Sequence, residues 1–557
     1  MYNNFILFFL SYFLILTSVL GYGLFLLRIV EKKKEITNFG YVGLIGIFFL
    51  IFYSYVSNIF IAHSELHNII FLIIGLIFFL LILKKKYLLL KKELIFTFTI
   101  FIFLFISSLI FKNHDDFPYY HFPYTYYLTQ QSLFIGIGQF NHGFRTPSSI
   151  FYLNSLLYLP IVKYYLFNFS SIYILGFANI ILLKKTHSFF ISLNIKDKFK
   201  QNINYINFLS LFLFVFINIF FYRIGEHGTD RSAQILIFLL IVIILEFFYY
   251  QKIKKLDLLF IYILLGLIIS LKSFYILYLI ILLPLFIFVF EKYKNLILTF
   301  EYFIKNKFFV LFTILLIFII GTYFINTGCL IYPISFTCFE NFSWALPINE
   351  VQRMNNWYEL WSKAGANPNF RVVGPDEYIL KFNWVGNWID SYFFNKVSDF
   401  ILGVIFVIIV FLILFVKKSD YKKKQISKYA LFTYFILILL AFEWFYNHPA
   451  LRYGGYCLIS LILFIPTSFY LSSFTRDIKK FTNSVTILIL LTSIIFLGRN
   501  INRINKEAEL YKYMPINKTF FKVDNHYFRI QNQMEKTLNN ENKVKKVLGK
   551  KTFILIK

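Results

Sequence analysis

The sequence predicts an all-α, polytopic integral membrane protein with about fourteen transmembrane helices. Three observations predict it. Of the 557 residues, 59% are apolar and only 15% are charged, against roughly 25% charged in a soluble protein. Apolar runs of roughly 15 to 24 residues, the length that crosses a bilayer, recur along the chain. Lys and Arg collect between alternate runs, which accounts for the net charge of +28 without a nucleic-acid partner. A mean hydropathy of +0.67 excludes a soluble globular enzyme, a disordered chain and a nucleic-acid-binding domain. No water-facing surface could hide that much apolar side chain, so the solvent for most of it is lipid.

Spans are expected near 4–27, 39–61, 68–83, 93–111, 169–183, 204–222, 233–250, 257–271, 273–290, 308–326, 400–416, 429–446, 453–472 and 483–498. In lipid the backbone must bond within its own segment, so each is a helix. The first run, FILFFLSYFLILTSVLGYGLFLL, lacks a small-residue cleavage site after it and reads as a span rather than a removed leader. The loops after spans 1, 3, 5, 7, 9, 11 and 13 hold 30 Lys and Arg, the opposite loops hold 12, and the tail after residue 498 holds 14. Cytoplasmic loops carry the positive excess. The N-terminus and the long segments 112–168 and 327–399 therefore face outside, and an even span count puts the tail there too. Residues 146–160, TPSSIFYLNSLLYLP, are apolar enough to span, but a span here would reverse every later loop. They are expected as a helix lying at the outer interface, with Pro147 in its first turn. The chain then divides into three accessory spans (1–90), a membrane core (91–499) and a basic tail or small domain (500–557).

Against this apolar background the ionisable clusters on the outer side stand out. His114, Asp115 and Asp116 follow the fourth span. Two adjacent carboxylates at a membrane surface need a cation, a metal or a proton. They could act as general base, could hold a divalent ion beside a phosphate, or could simply cap the span. Arg145, in FNHGFRTPSS, could grip a phosphate through its planar fork, or belong to a turn. Glu226, His227, Asp230 and Arg231 fall in one short loop, as a self-satisfied ion network or as a polar wall of an outer cavity. Lys272 is isolated between two apolar runs, where it contacts a phosphate or carboxylate, or snorkels. His448, Arg452 and Tyr453 lie at the outer start of span 13, with Gly454 and Gly455 allowing close packing. Glu443, near the end of span 12, needs a partner, for which Arg452 or a ligand would serve.

Three Cys residues exclude a disulfide scaffold and a multi-Cys metal site. Cys329 and Cys338 could close a small loop in an oxidising compartment, and Cys457 is expected to be buried. Trp344, Trp357, Trp361, Trp384 and Trp388 in the second long loop anchor it at the interface or line a carbohydrate site. No phosphate-binding loop, zinc-protease helix, nucleophile elbow or dinucleotide fingerprint occurs in a suitable context.

In order, HDDFPYY, TPSSIFYLNSLLYLP, LKSF and HPALRYGGY resemble the layout of the bacterial GT-C superfamily of polytopic glycosyltransferases, over roughly residues 90 to 500. Three spans rather than one precede the acidic motif. The resemblance implies sugar transfer from a polyprenyl-phosphate donor to a glycan, lipid or protein, at the outer, periplasmic face of the inner membrane. By the same resemblance Asp115 or Asp116 would be the catalytic carboxylate, activating an acceptor for attack with inversion. Arg145, Lys272 and Arg452 would hold the leaving phosphate, and Glu226, His227 and Asp230 would position hydroxyls. A divalent cation at Asp115 and Asp116 is the one cofactor contemplated. Two other functions compete. An O-antigen polymerase or ligase would share the many spans, the long outer loop and the arginines. A flippase for lipid-linked glycans would place ionisable residues at mid-span within an internal repeat, and neither feature is seen.

Overall fold

A computed structural model describes residues 4–30, 38–110, 114–191, 203–226, 228–251, 255–367, 370–416, 425–474, 478–512, 525–540, 542, 544–547 and 551–554. His227 and the basic stretches 32–34, 196–200 and 417–424 lie outside these residues.

The helices run in chain order as α1 (Asn4–Val30), α2 (Phe39–Asn58), α3 (Glu65–Leu104), α4 (Phe122–Gln130), α5 (Ser149–Ser155), α6 (Phe169–Ile191), α7 (Tyr205–Phe220), α8 (Gly228–Tyr250), α9 (Lys255–Leu271) and α10 (Leu282–Tyr293). They continue as α11 (Leu296–Ile304), α12 (Lys307–Thr327), α13 (Ile348–Lys363), α14 (Pro375–Tyr378), α15 (Val385–Trp388), α16 (Ser398–Phe415), α17 (Lys428–Asn447), α18 (Gly455–Ser472), α19 (Ile478–Tyr511) and α20 (Asn525–Leu538). Among the described residues, eleven helical segments are long and apolar enough to cross a membrane. Two shorter apolar helices, α7 and residues 258–271 of α9, coincide with two more expected spans. The expected third and fourth spans share one unbroken helical element, α3, which folds back on itself: Glu65 meets Lys163 before α6, Glu93 pairs with Lys184 near the far end of α6, and the Phe105 ring returns to 5.9 Å from Phe8, itself 4.9 Å from Phe169. The intervening KKKYLLLKK contains only good helix formers and aromatics, and nothing in it breaks a helix. The protein is therefore an all-α polytopic membrane protein.

Burial separates centre from perimeter. The apolar windows of α6 and α8 are 89% buried, whereas those of α12, α16 and α19 are 28% buried and turn most of their Ile, Leu and Phe outward, as lipid-facing helices must. In the centre, Phe212 of α7 stacks between Phe411 and Phe464 at ring distances of 3.7 and 4.8 Å. The N-terminal spans join the same core through close backbone approach: a Cβ on Gly21 would sit 1.9 Å from the Gly75 carbonyl oxygen, and one on Gly46 2.0 Å from that of Val19. Asparagines start several helices. Asn38 accepts from Gly40 N–H, Asn306 from Phe308 N–H, and Asn204 with Asn207 forms a reciprocal capping box.

The expected interfacial helix takes another form. α5 is seven residues long, and residues 147–159 are all buried among α2, α4, α6 and α9. Ser and Asn inside TPSSIFYLNSLLYLP explain this: Ser149 bonds Ser270 at 2.8 Å, and Ser155 bonds His63 at 2.7 Å. An amphipathic surface helix would keep one face outside. The tail is not separate from the first long loop. Its strands β2 (Val544–Val547) and β3 (Lys551–Ile554) pair antiparallel, and β3 pairs parallel with β1 (Phe134–Ile135). Tyr126 of α4 also donates to Glu535 of α20 at 3.3 Å. The tail and the loop therefore share one end of the bundle, as the even number of spans expected between them requires.

Candidate functional site

At that same end, four segments far apart in sequence meet. The chain leaves α3 through a short 3₁₀ turn and re-enters helix as a π turn over Phe117–His121, with Pro118 in its first turn. Asp116 sits at the mouth of this turn, its N–H donating to His114 Nδ1 at 3.2 Å. Asp230 comes from the first turn of α8, and Lys272 from the junction after α9. Arg452 comes from a 3₁₀ turn (Leu451–Tyr453) that ends on Gly454 at φ +120°, a backbone state that glycine adopts without strain.

The charges alternate. Lys272 Nζ lies 2.9 Å from Asp230 Oδ1, Asp230 Oδ2 lies 3.3 Å from Arg452 Nε, and Arg452 Nη2 donates to Asp116 Oδ2 at 3.3 Å. His114 Nδ1 closes the row 3.4 Å from the same Asp116 oxygen. Aromatic faces border the guanidinium, with Trp361 at 5.2 Å and Tyr453 at 5.4 Å, inside cation–π range. The backbone of Arg452 is bolted in place: Gln234, one turn below Asp230 on α8, donates to the Arg452 carbonyl at 2.9 Å and accepts from Cys457 N–H at 3.1 Å. Tyr392 accepts from Leu451 N–H at 2.9 Å.

The environment shifts the titrating groups. Burial pushes the Asp116 carboxyl up, but Arg452, His114 and His121 together hold it below its ordinary value. Burial pulls Arg452 down, and Asp230, Tyr453, Tyr120 and Asp116 more than reverse this, so it stays charged. His121 packs against Tyr120 and Phe151 at ring distances of 4.4 and 4.9 Å, and burial pushes it down to about 3. Its Nε2 is buried and has no hydrogen-bond partner among the described residues. His114 is lowered as well, first by burial.

Of the residues singled out from sequence, Asp116, His114, Asp230, Lys272, Arg452 and Tyr453 converge, and others do not. Asp115 is exposed and stands outside the row. Arg145 is buried and committed: it pairs with Glu350, donates to Gly138 O at 3.1 Å and to the Tyr332 hydroxyl at 3.2 Å. Glu226 is held by Arg223 and by Arg503 of α19, a second ion cluster that ties the tail helix down. Arg231 lies 5.5 Å over the Phe221 ring, on the Glu226 side of α8. His448 stands outside the row, with its ring 6.0 Å from that of Tyr453 and Glu359 and Lys363 as its charged neighbours. Glu443 accepts from Asn447 at 3.0 Å rather than from Arg452, whose fork is taken by the two aspartates. Cys329 and Cys338 form a disulfide, and Cys457 is buried and free. Of the two carboxylates expected to share a divalent cation, Asp115 is exposed and Asp116 is paired with Arg452.

His121 and Gln234 also border the row, and of the five loop tryptophans expected to anchor the loop or line a carbohydrate site, Trp361 is the one over Arg452. Gln234 had a legible signal, since it lies at i+4 from Asp230 and so on the same helix face. His121 had none, because it sits in the aromatic run FPYYHFPYTYY, which looks like an interfacial belt.

No curated protein and no solved structure matches the chain. The profile of a domain of unknown function, DUF8201, matches residues 5–459, which takes in α1 through the start of α18 and every member of the charged row, and the chain belongs to that family.

Proposed function

We propose that the protein is a membrane glycosyltransferase that moves a sugar from a polyprenyl-phosphate donor to an acceptor at the outer face of the membrane. One observation carries this reading: Asp116, Arg452, Asp230 and Lys272, up to 336 residues apart in sequence, alternate in a single half-buried row. Desolvating four charges is expensive, and apolar packing would stabilise a purely structural junction at least as well. A row that keeps its side chains 16–30% exposed retains access for a ligand.

The residues suit the chemistry. A sugar phosphodiester brings one negative charge, for which Arg452 and Lys272 are the fixed cations. An arriving phosphate competes with Asp116 for the Arg452 fork. Release from Arg452 lets the Asp116 carboxylate bind a proton more readily. The acceptor hydroxyl oxygen then attacks the anomeric carbon, its proton passes to Asp116, and the bond from that carbon to the phosphate oxygen breaks. The electron pair leaves on the polyprenyl phosphate, where Arg452 and Lys272 stabilise it. Asp230 holds the two cations at a fixed spacing, and Trp361 offers a flat face of the kind that stacks on sugars.

The test uses membranes containing the wild type, Asp116→Asn or Arg452→Lys, assayed with labelled polyprenyl-phosphate monosaccharides and analysed for new glycans. Transfer by the wild type and its loss in both variants, at equal membrane insertion, is the expected result. Unchanged transfer in both variants overturns the reading. Activity with lipid-linked oligosaccharides alone would move the assignment to a polymerase or ligase.

A further inference from the structure

The second long loop begins with a closed finger. It leaves α12 at Thr327, turns on Gly328, and is pinched at its base by the Cys329–Cys338 disulfide and by the hydrogen bond from Phe339 N–H to Gly328 O at 2.9 Å. From Gly328 to Phe339 no side chain is charged. Phe336 at the tip is 89% exposed, and Leu330, Ile331, Ile334, Phe339 and Phe342 are each 38–48% exposed. So much apolar surface on one short loop is far from the scattered exposure normal in water.

We infer that this finger inserts into the leaflet at its own end of the bundle, at the boundary of headgroups and acyl chains. Three further observations select lipid as the occupant. First, the apolar surface continues that of α12, whose Ile317 and Ile320 already face outward. Second, the segment after the disulfide folds back along the last turn of that span: the Phe342 and Phe339 rings lie 5.3 and 6.1 Å from Phe324, and Trp344 Nε1 donates to the Phe324 carbonyl at 3.3 Å. Aromatic groups at the depth of a helix end are where an interfacial belt forms. Third, the finger bonds much of its backbone internally, which lowers the cost of entering an apolar environment. Leu330 N–H donates to Thr337 O at 3.1 Å, and the Thr337 hydroxyl accepts from Ile331 N–H at 3.1 Å and donates to Ile331 O at 3.0 Å.

The base of the finger is anchored inward. Tyr332 is buried, takes the Arg145 guanidinium on its hydroxyl and lies under it at 5.9 Å. Arg145 in turn holds Glu350 of α13, the helix that places Trp361 over Arg452. This explains why an arginine suited to phosphate is sealed away from the charged row. The inference does not depend on what the row transfers.

The experiment uses the whole protein in phosphatidylcholine vesicles containing a phosphatidylcholine with a diazirine in mid-chain. After photolysis, peptide mass spectrometry should find lipid adducts on residues 330–342 as well as on α12. Ile331→Asp with Phe336→Asp should lose the finger adducts and keep those on α12, which shows that the variant is folded. Adducts from a water-soluble diazirine in place of the lipid probe, a cross-link from the finger to a second copy or to another protein, or unchanged lipid labelling in the double variant would each overturn the inference.

Discussion

Two ion clusters lie at the same end of this bundle, and they differ in a way that separates a site from a tie. Around Glu226, Arg223 and Arg503 close on a carboxylate whose side chain is 1% exposed, with Arg503 at 7% and Arg223 on the outside at 36%. Around Asp230, the side chains of Asp116 and Arg452 are 27% and 30% exposed. The first cluster seals its carboxylate and joins α19 to the α7–α8 connection. The second leaves both a carboxylate and a guanidinium half-open at Asp116 and Arg452, and is bordered by aromatic faces. Both arise from the same thirteen-residue stretch, YRIGEHGTDRSAQ. What distinguishes them is which side of α8 each carboxylate occupies and what packs there.

The sharpest way to break this contrast is to remove the shared anion of each cluster. Glu226→Gln leaves Arg503, whose side chain is 7% exposed, without its carboxylate, and loss of one partner of a buried pair costs about 3–5 kcal/mol. We expect a large drop in thermal stability in detergent and poor yield. A variant as stable as wild type would mean that the cluster is not the tie described. Asp116→Asn should do the opposite, keeping the fold while transfer falls by about 10²–10⁴-fold, the usual contribution of a general base. Equal melting temperatures alongside retained transfer would merge the two clusters into one structural class.

A third expectation concerns pH. Burial holds both His63 and His121 down to about 3. The unfolded chain takes up these protons below about pH 6.5 while the folded protein does not. Stability should therefore be fully present above pH 6.5 and fall toward pH 3, by about 1.4 kcal/mol per pH unit for each histidine. Melting temperatures of wild type, His63→Gln and His121→Gln across that window check the sign; each variant should flatten the slope. The smallest effect is expected at Asp115→Asn. This residue is exposed and outside the row, so stability should change by less than about 0.5 kcal/mol and transfer should be unaltered. A loss of transfer matching that of Asp116→Asn would return the acidic doublet to the site as a pair.

Much of the fold was legible from hydropathy alone, because lipid leaves a chain few alternatives to the helix. The boundary between the third and fourth spans was marked by charge alone, since KKKYLLLKK has no residue that stops a helix and the helical hydrogen bonding runs through it. The burial of residues 147–159 was missed for a related reason: Ser, Asn and Tyr among apolar residues look the same whether they face headgroups or bond across a packed interior, as Ser54 does to Tyr152 O at 2.7 Å. Within the site, lone charges in apolar surroundings marked Asp116, Lys272 and Arg452, because each must find a partner. Their pairing was not legible. Arg452 was free to choose Glu443 from nine residues away and instead joins Asp116 from 336 residues away.

The sequence by itself determined that the chain lives in a bilayer, how its basic loops are distributed and which ionisable groups are too costly to leave alone. Only the tertiary structure decided that Asp116 and not Asp115 enters the row, that Arg145 serves the finger, and that Glu226 and Asp230 part company across α8. The physical reason is range. The cost of burying a charge or exposing an apolar run is set by the residue and its neighbours in the chain, whereas the identity of a partner depends on contacts between segments that no local pattern encodes.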